Sequence, residues 1–549
     1  MGFNAFSVST DNDSDRSSSD LNARFLHSLL IFDVLLRMKK TPNDSNEELI
    51  KICTNAYQGN PTELSNIEQF ALSYTSDQAI AWYTKNCFLF RILNKALRIE
   101  NIQLIYLFRS FICDIYLQLQ QCKCTSPINV YRGQLMTLAE FNDLRSSIGR
   151  YISMNSFLST SVKRDLAIFY LGTSQNFTID FKRIVFEIYA DPEVEGIKPF
   201  GKIESYSEFP NEQEVLFMPR NIFRIVEIYP DHDNNVDIVQ MVLCGEKENH
   251  LKAIYEQNRK NYGGGRQVET NLMTLGNVLQ RMGQYDNSEM FYRRQLNELL
   301  NASHQDERLI STCYFNIGEI LRETSDYETS MIWYQKSLDI DTRTFPNGHP
   351  NIGNTYNSMG IAHEERGDYE SALHSYSIAL KIALETFGWN NTRVALCLNN
   401  TGNAYQAIGN YLEALNCHRI ALTIRERNLP PDHHRLAASH NNIGVVYHRL
   451  GHFDLAFERY KIALRINQKS LPSYHSDIGK VLRNIGLLHE EAGKFQQALE
   501  YFEKEATRRR EIQKFNQLDI ANIEEDIKRI NVKFLKLKLL NASRITFNT

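Results

Sequence analysis

Apolar and polar positions follow two different patterns in the first half of the chain. From residue 25 to about residue 121 the apolar residues recur at helical spacing, as in the run from Ala79 to Leu97. From Ile128 to Cys244 the apolar residues instead form short β-like runs. Helices followed by strands predict one α+β domain over residues 25–245. The Ser- and Asp-rich residues 1–24 are predicted to be disordered.

Six runs in this domain have the composition of strands. They cover residues 129–132, 156–159, 184–189, 214–217, 223–228 and 236–244. A polar segment with three consecutive glycines, Gly263 to Gly265, follows them. It predicts a linker over residues 246–268.

After the linker the chain repeats itself six times, over residues 269–510, with a period of 42 residues. Each unit has a glycine: Gly276, Gly318, Gly360, Gly402, Gly444 and Gly486. Nine residues later comes an aromatic residue: Tyr285, Tyr327, Tyr369, Tyr411, Phe453 and Phe495. A small residue follows three positions on, and another ring follows four positions after that: Tyr292, Tyr334, Tyr376, His418, Tyr460 and Phe502. This unbroken register predicts an all-α solenoid of paired helices, in which small residues allow close approach and rings fill the gap. Residues 511–549 have helical spacing and are expected to cap it.

The repeat resembles the tetratricopeptide repeat, in the longer form found in kinesin light chains. The resemblance implies two-helix hairpins that stack around a concave face lined by the first helix of each unit. Asparagines stand two and three positions before the glycines, among them Asn399, Asn400, Asn441 and Asn442. Their amides could bind the backbone of an extended peptide from a protein partner, or they could bond between neighbouring repeats.

Composition excludes several classes of function. The net charge of −4 gives no indication of nucleic-acid or membrane binding. The nine cysteines are scattered, so reduced thiols are expected, with neither a disulfide framework nor a metal site. The sequence shows neither a secretory signal nor a run long enough to span a bilayer, and a cytoplasmic location is therefore expected.

Two carboxylates stand two positions apart where the fourth β-like run begins. In an extended chain the side chains of Glu212 and Glu214 would point to the same side. Such a pair can stabilise a cation or accept a proton. It can also keep the edge of a strand soluble.

Two other polar groups precede this pair, each on a predicted strand. They are VYRGQ at 130–134 and FLSTS at 157–161, and EQE at 212–214 follows them. In this order the three motifs resemble those of the mono-ADP-ribosyltransferases of the Arg–Ser–Glu class, and the resemblance covers residues 25–245. Those enzymes break the bond between nicotinamide and ribose in NAD and transfer ADP-ribose to a protein side chain, with no metal.

The resemblance implies a role for each motif residue. Glu214 would stabilise the positive charge that develops on the sugar, and Arg132 would bind the pyrophosphate of NAD. Gly133 would let the backbone approach the nicotinamide amide. Ser159 would hydrogen-bond to the ribose and to Glu214. The neighbours that would support this strand are Thr160 and Ser161.

The acceptor side of the site is assigned in the same way. A glutamate at position 212 implies arginine as the acceptor, because a carboxylate can bind the incoming guanidinium and take its proton. The ring that packs on nicotinamide would be Phe169 or Tyr170, although both could equally be core residues of a helix.

The sequence thus predicts an NAD-dependent protein-arginine mono-ADP-ribosyltransferase whose repeat array recruits a protein partner. Two alternatives stay open at this point. One is an NAD glycohydrolase, in which water is the acceptor. The other is a non-catalytic adaptor, in which the repeats carry the function.

Overall fold

The fold is taken from a computed structural model. It describes residues 3–6, 17–38, 46–172, 181–245, 269–346, 348–471, 475–513 and 521–546. The chain divides into two compact units, Met1–Phe291 and Tyr292–Thr549. The predicted glycine linker lies outside the described residues. No described helix is both long and apolar enough to traverse a bilayer.

One layer of the first unit is helical. Its helices are α1 (Ser17–Leu36), α2 (Glu47–Ala56), α3 (Pro61–Ser73), α4 (Ala79–Thr84), α5 (Phe88–Arg98), α6 (Ile102–Leu107) and α7 (Arg109–Gln121). Local chemistry sets several helix starts: Asn60 caps α3 through the backbone N–H of Glu63, and Pro61 occupies the first turn. The apolar faces of these helices form one core around Phe70, Phe88 and Phe111.

The second layer of this unit is a nine-stranded mixed sheet. The strands are β1 (Phe3–Phe6), β2 (Ile128–Thr137), β3 (Tyr151–Met154), β4 (Leu158–Ser161), β5 (Phe181–Ala190), β6 (Phe200–Lys202), β7 (Glu214–Phe217), β8 (Ile222–Asp231) and β9 (Val236–Cys244). Their spatial order is β1-β3-β8-β9-β5-β2-β4-β7-β6. Only the β5–β9 pair is parallel among the described pairs. Helices α8 (Leu138–Arg145) and α9 (Arg164–Phe169) follow β2 and β4 in the chain.

The observed elements agree with the α+β prediction, and each predicted strand overlaps an observed one. Three short strands, β1, β3 and β6, are not in the prediction. The expectation of disorder over residues 1–24 needs correction in two places. Phe3–Phe6 pairs antiparallel with β3, and α1 begins at Ser17. Residues 7–16 lie outside the described part of the chain.

The first unit also contains the opening helix of the first repeat, α10 (Leu272–Arg281). Its apolar residues Leu272, Leu275 and Leu279 belong to the same core as α1. Just before it, the Thr270 hydroxyl donates to the carbonyl of Val34 at 2.6 Å. Helix α10 is therefore part of the fold of this unit.

The remaining helices form the repeat array. They are α11 (Tyr285–Asn301), α12 (Glu307–Glu323), α13 (Tyr327–Thr344), α14 (Pro350–Glu365), α15 (Tyr369–Phe387), α16 (Thr392–Ala407), α17 (Tyr411–Asn428), α18 (His434–Arg449), α19 (Phe453–Ser470), α20 (Ser476–Glu491) and α21 (Phe495–Gln513). Each 42-residue unit is thus a pair of helices. The helices of one pair, α14 and α15, have 16 and 19 residues and fill most of the period.

The repeating glycines have the steric role that the sequence predicts. A Cβ on Gly360 would lie 2.5 Å from the Tyr376 ring, and one on Gly444 would lie 2.7 Å from the Tyr460 ring. The small residues on the second helices, such as Ala372, are fully buried. Close packing of a ring on a bare backbone therefore recurs from unit to unit.

A final helix, α22 (Ala521–Thr546), packs on the last repeat. Its Ile523 and Ile530 are buried against Phe502 and Ala506. The Arg529 guanidinium forms an ion pair with Glu490 at 2.8 Å.

Candidate active site

Three adjacent strands carry the three sequence motifs. Arg132 lies on β2, Ser159 on β4 and Glu214 on β7, and the sheet order places β4 between the other two. The register pairs Ser161 with Glu214, which puts Ser159 one diagonal step from the carboxylate on the same face. Motifs separated by tens of residues in the sequence therefore come together in one candidate site.

Glu214 is the buried acid of this site, with 8% of its surface exposed. The hydroxyls of Ser159 and Ser207 both hydrogen-bond to its carboxylate. Burial raises the pKa of Glu214 above its usual range, and the nearby charge of Glu212 raises it further. The two hydroxyls and the guanidinium of Arg132 act against this shift. The Ser159 and Ser207 hydroxyls thus hold the carboxylate in place, and its burial leaves it poorly solvated.

Arg132 is fixed by one strong contact. Its Nη1 donates to the backbone carbonyl of Ser159 at 2.6 Å. Its Nε is buried and finds no hydrogen-bond partner in the described part of the protein. Burial lowers the pKa of Arg132, and the charges of Glu214 and Tyr83 oppose this shift. A guanidinium that keeps unused donors beside a carboxylate can accept an anionic group of a ligand.

The chain between the two glutamates is not extended, which corrects the premise about their geometry. Residues Pro210–Glu212 form a single 3₁₀ turn, and Gln213 adopts a left-handed conformation with φ 48°. Strand β7 begins only at Glu214. Glu212 therefore lies on a turn and is half-exposed, whereas Glu214 lies on a strand and is buried. The two acids have different environments because the backbone turns between them.

The turn is attached to β4 by the other motif residues. The Ser161 hydroxyl donates to the Glu212 carbonyl at 2.7 Å, and the Thr160 hydroxyl donates to the Val215 carbonyl at 2.8 Å. The Lys163 ammonium donates to the Asn211 carbonyl at 3.1 Å. Thr160 and Ser161 thus hold the backbone on either side of Gln213.

Both candidate rings after β4 are exposed, so neither is a core residue. Phe169 is 75% exposed and Tyr170 is 62% exposed. The Tyr170 hydroxyl hydrogen-bonds to the Glu212 carboxylate. This bond raises the pKa of Tyr170 to about 12. Tyr170 therefore positions Glu212 from the open side of the site.

Gly133 has a structural reason to be glycine. A Cβ at this position would lie 1.9 Å from the Ala167 carbonyl oxygen and 2.9 Å from Leu171 Cγ. Helix α9 therefore crosses β2 against bare backbone. The contact itself accounts for the glycine, and it also places Phe169 and Tyr170 beside the site.

Several site residues were not predicted from the sequence. Ser207 lies in the loop before the turn, and Tyr83 and Thr84 come from the helical layer. Tyr83 is buried and packs on the ring of Phe157, with ring centroids 4.9 Å apart. The Thr84 hydroxyl accepts a hydrogen bond from the Glu208 backbone N–H at 3.2 Å. No local pattern marks these residues, because their role depends on packing between the helical layer and the sheet.

The second predicted site, the asparagine row, forms contacts between repeats. Asn400 Nδ2 donates to Asn357 Oδ1 at 3.0 Å, and Asn442 Nδ2 donates to Asn399 Oδ1 at 3.2 Å. Asn484 Nδ2 donates to Asn441 Oδ1 at 2.9 Å. Of the two interpretations, the one in which these amides bond between neighbouring repeats agrees with the structure. The side chains remain half-exposed.

A family model supports the assignment of the repeat array. The tetratricopeptide-repeat model matches residues 267–343, 309–385, 351–427, 393–469 and 435–511. The C-terminal region is thus an all-helical tetratricopeptide-repeat solenoid, a class of structure that serves protein interaction. No curated protein matches the chain.

Several solved structures resemble parts of the chain. BtubC (BKLC) from P. vanneervenii is 23% identical over 36% of this chain and 79% of its own, with a TM-score of 0.33. A Rap protein complexed with Competence and Sporulation Factor is 15% identical over 52% of this chain and 81% of its own, with a TM-score of 0.36. An ADP-ribosyltransferase from Clostridium botulinum is 15% identical over 38% of this chain and 98% of its own, with a TM-score of 0.25. These scores are too low to establish a shared fold or function.

Proposed function

We propose that the N-terminal unit catalyses transfer of a single ADP-ribose from NAD to arginine side chains of proteins, and that the repeats recruit a protein partner. One observation carries the catalytic part. Arg132, Ser159 and Glu214 converge from three adjacent strands, and Glu212 stands beside Glu214 on a turn of its own. The site thus combines the Glu214 carboxylate, which can stabilise a cation, the Arg132 guanidinium, which can bind an anion, and a second carboxylate, that of Glu212, which is half-exposed.

The described residues fit NAD as the co-substrate. The Arg132 guanidinium has unused donors, including the buried Nε, and a planar fork suits a pyrophosphate. The Ser159 hydroxyl bonds to Glu214 and would also reach a ribose hydroxyl. Thr160 and Ser161 donate to backbone carbonyls, so we assign them to support of the site rather than to contact with NAD.

The two carboxylates would act at different atoms. Glu214 would stabilise the positive charge on the sugar as the bond between C1′ and the nicotinamide nitrogen breaks and nicotinamide leaves with the electron pair. A nitrogen of the acceptor guanidinium forms the new bond to C1′. The proton that this nitrogen loses would pass to Glu212, which is half-exposed and hence reachable by a protein side chain. Tyr170 would hold Glu212 in this orientation.

The test separates NAD cleavage from arginine transfer. In Glu212→Gln, transfer of labelled ADP-ribose to a small guanidine acceptor should fall at least about 100-fold, while nicotinamide release continues. Glu208→Gln is the matched control, since Glu208 is an exposed acid in the same loop. Unchanged arginine labelling in Glu212→Gln would show that the assigned role of Glu212 is wrong.

One contact also favours NAD glycohydrolase as a second candidate function. The Tyr170 hydroxyl already occupies one oxygen of the Glu212 carboxylate, and hydrolysis needs only Glu214. Product analysis distinguishes the two functions. A transferase gives ADP-ribosylated guanidine in proportion to added acceptor, whereas a glycohydrolase gives free ADP-ribose at a rate that the acceptor does not change.

A further inference from the structure

The turn that carries Glu212 is a short piece of backbone on the surface of the N-terminal unit. Within it, the Glu212 N–H donates to the Phe209 carbonyl at 3.1 Å, next to the 3₁₀ turn already described. Residues 208–211 are exposed, so they have little packing to hold them. The turn therefore keeps its own shape through internal bonds, and its orientation depends on the hydrogen bonds that reach it from other elements.

Three side chains hold the downstream end of this turn. They are Ser161 and Lys163, which donate to the carbonyls of Glu212 and Asn211, and Tyr170, which donates to the Glu212 carboxylate. Ser161 is the last residue of β4, and Lys163 and Tyr170 flank α9. All three attachments thus come from β4 and the residues that directly follow it.

The upstream end of the turn is held by the helical layer instead. The Glu208 N–H donates to the Thr84 hydroxyl at 3.2 Å. Thr84 is the last residue of α4, and its hydroxyl donates to the carbonyls of Ile80 and Ala81, each at 3.1 Å. These two contacts fix the direction of the hydroxyl and leave an oxygen lone pair for Glu208. Among the described residues, no other hydrogen bond joins the helical layer to the turn.

Helix α4 has a fixed position of its own. The Ile80 N–H donates to Gln118 Oε1 of α7 at 2.7 Å. The buried Tyr83 packs on Phe157, which directly precedes β4. The end of α4 is therefore fixed both within the helical layer and against the sheet, and Thr84 has a defined position relative to the site.

The part of the loop that reaches Glu214 has separate support. Ser207, whose hydroxyl bonds to the Glu214 carboxylate, donates its backbone N–H to the Ile203 carbonyl at 2.8 Å. The Ile203 N–H in turn donates to the Glu214 carbonyl at 3.0 Å. The loop up to Ser207 is thus attached to β7 by backbone bonds. Loosening the turn at Glu208 should therefore disturb Glu212 more than Glu214.

We propose that Thr84 is a positioning residue for Glu212, and that it thereby favours arginine over water as the acceptor of ADP-ribose. With both ends of the turn attached, the carboxylate holds one orientation toward the incoming guanidinium. Without the Thr84 hydroxyl the turn is attached at its downstream end only, and Glu212 is less often within reach of the guanidinium proton. This inference rests on the transferase function proposed above.

The competing reaction is hydrolysis. The bond between C1′ and the nicotinamide nitrogen still breaks, nicotinamide leaves with the electron pair, and a water oxygen forms the new bond to C1′ and loses a proton to solvent. This route does not need the acceptor-side carboxylate. The proposal therefore predicts a change in the ratio of transfer to hydrolysis.

The test measures both reactions in the full-length protein. Thr84→Val keeps the branched shape of the side chain and removes the hydroxyl. It should lower transfer to a small guanidine acceptor about tenfold, and change both acceptor-free NAD hydrolysis and the KM for NAD by less than about twofold. Thr84→Ser, which retains the hydroxyl, should restore transfer. Unchanged transfer in Thr84→Val, or equal losses in the two reactions, would overturn the proposal.

Ser73→Ala is the matched control. Ser73 is the exposed last residue of α3, and its hydroxyl donates to the Gln69 carbonyl four residues earlier at 2.7 Å. The substitution thus removes a hydroxyl of the same kind from the end of a neighbouring helix. A loss of transfer as large as that in Thr84→Val would attribute the effect to the helical layer in general and overturn the role of Thr84.

Amide hydrogen exchange tests the attachment without any assay of activity. The Glu208 N–H should exchange at least about tenfold faster in Thr84→Val than in the unmodified protein or in Thr84→Ser. The amides of β7 should keep their exchange rates, and faster exchange throughout β7 would indicate a general loosening of the sheet and overturn the proposal.

The same measurement separates this inference from the catalytic proposal. Faster exchange at Glu208 alone, in a protein that transfers no ADP-ribose to arginine, would support Thr84 as the attachment of the turn and reject the transferase. Unchanged exchange at Glu208 in Thr84→Val would reject the role of Thr84 even if the unmodified protein proves to be a transferase.

Discussion

The two units of this chain place chemically distinct residues in opposite ways. In the sheet, Arg132, Ser159 and Glu214 belong to three different motifs that are not repeated. They lie close together only because β2, β4 and β7 are neighbours. In the repeat array one backbone position occurs again every 42 residues, and its chemistry changes from Asp341 to Ala383 to Arg425. A combination of distant residues therefore depends on topology, whereas chemical variety along the array depends on departures from a pattern.

The difference also affects how each unit should respond to substitution. Glu214 is surrounded by contacts that no other part of the chain duplicates. Gly360 and Tyr376, in contrast, form one of several equivalent contacts. A change in the sheet should thus alter function without a large loss of stability, and a change in a repeat should alter stability without affecting chemistry.

The largest expected effect concerns Glu214. If the proposed function is right, Glu214→Gln should lower nicotinamide release at least about 100-fold, because the carboxylate charge assigned to stabilising the sugar cation is lost. The same variant should be more stable than the unmodified protein at neutral pH. Burial raises the pKa of Glu214 in the folded state. At a pH above the ordinary carboxyl pKa, the side chain is charged in the unfolded chain but costly to charge in the folded protein, so folding is disfavoured. This penalty disappears as the pH falls.

Steady-state kinetics and thermal melting at several pH values test this prediction together. Glu227→Gln is the control, since Glu227 is an exposed acid on a strand of the same sheet. Activity retained in Glu214→Gln would refute the catalytic role of Glu214. A lower melting temperature would refute the claim that the buried charge of Glu214 destabilises the folded protein.

The second effect concerns the glycine of the third repeat. Gly360→Ala should destabilise the protein by about 1–3 kcal/mol, because the new Cβ would lie 2.5 Å from the Tyr376 ring in a packed core. Chemical unfolding followed by circular dichroism measures this loss. Gly367→Ala is the comparison, since it has φ +86° but no atom within 4 Å of the added Cβ. It should cost about 1 kcal/mol, from backbone strain alone.

The third effect is a gain in stability at a position that departs from the pattern. His418 occupies the ring position that is tyrosine or phenylalanine in the other repeats. It is fully buried, and both ring nitrogens lack hydrogen-bond partners among the described residues. His418→Phe should therefore stabilise the protein by about 1 kcal/mol at neutral pH.

The pH dependence sharpens this prediction. Burial lowers the pKa of His418 to about 4 from an ordinary value of 6.5. The unfolded chain thus takes up a proton before the folded protein does, and stability falls between pH 6.5 and about pH 4. His418→Phe should reduce this fall. An unchanged slope of stability against pH would show that His418 does not titrate as its burial implies.

The smallest effect concerns Tyr170. Tyr170→Phe should reduce arginine transfer about threefold and leave NAD hydrolysis unchanged, because the lost hydroxyl positions only Glu212. Tyr189→Phe is the control, since it removes the hydroxyl of another exposed tyrosine, which lies on β5. Parallel assays of the two reactions are needed, since an equal loss in both would place Tyr170 at the NAD site instead.

The sequence predicts structure best where a pattern is local or repeated. The glycine–ring contacts follow directly from the 42-residue register, and the strands that carry Arg132 and Glu214 stand in clear apolar runs. Prediction is weaker where geometry depends on a single residue. The left-handed Gln213, with φ 48°, separates the two acids into a turn and a strand, and a glutamine in the sequence does not indicate such a conformation.

Packing between distant elements also could not be predicted from the sequence. The sequence suggests a ligand contact for Gly133, whereas the contact with helix α9 already explains this glycine. The asparagines of the repeats had two interpretations that only the contacts could separate. Ser207 and Thr84 reach the site through a loop and a helix end that have no distinguishing composition.

The position of α10 bears on how such a chain could have been assembled. Leu272, Leu275 and Leu279 are buried in the core of the N-terminal unit, together with α1. Fully burying each of these leucines is worth about 1.5–3 kcal/mol. A fragment cut before α10 would expose the face of α1 that these residues cover. The first repeat helix is thus a shared component, and exchanging the repeat array for another by a join at residue 268 would damage the fold of the N-terminal unit.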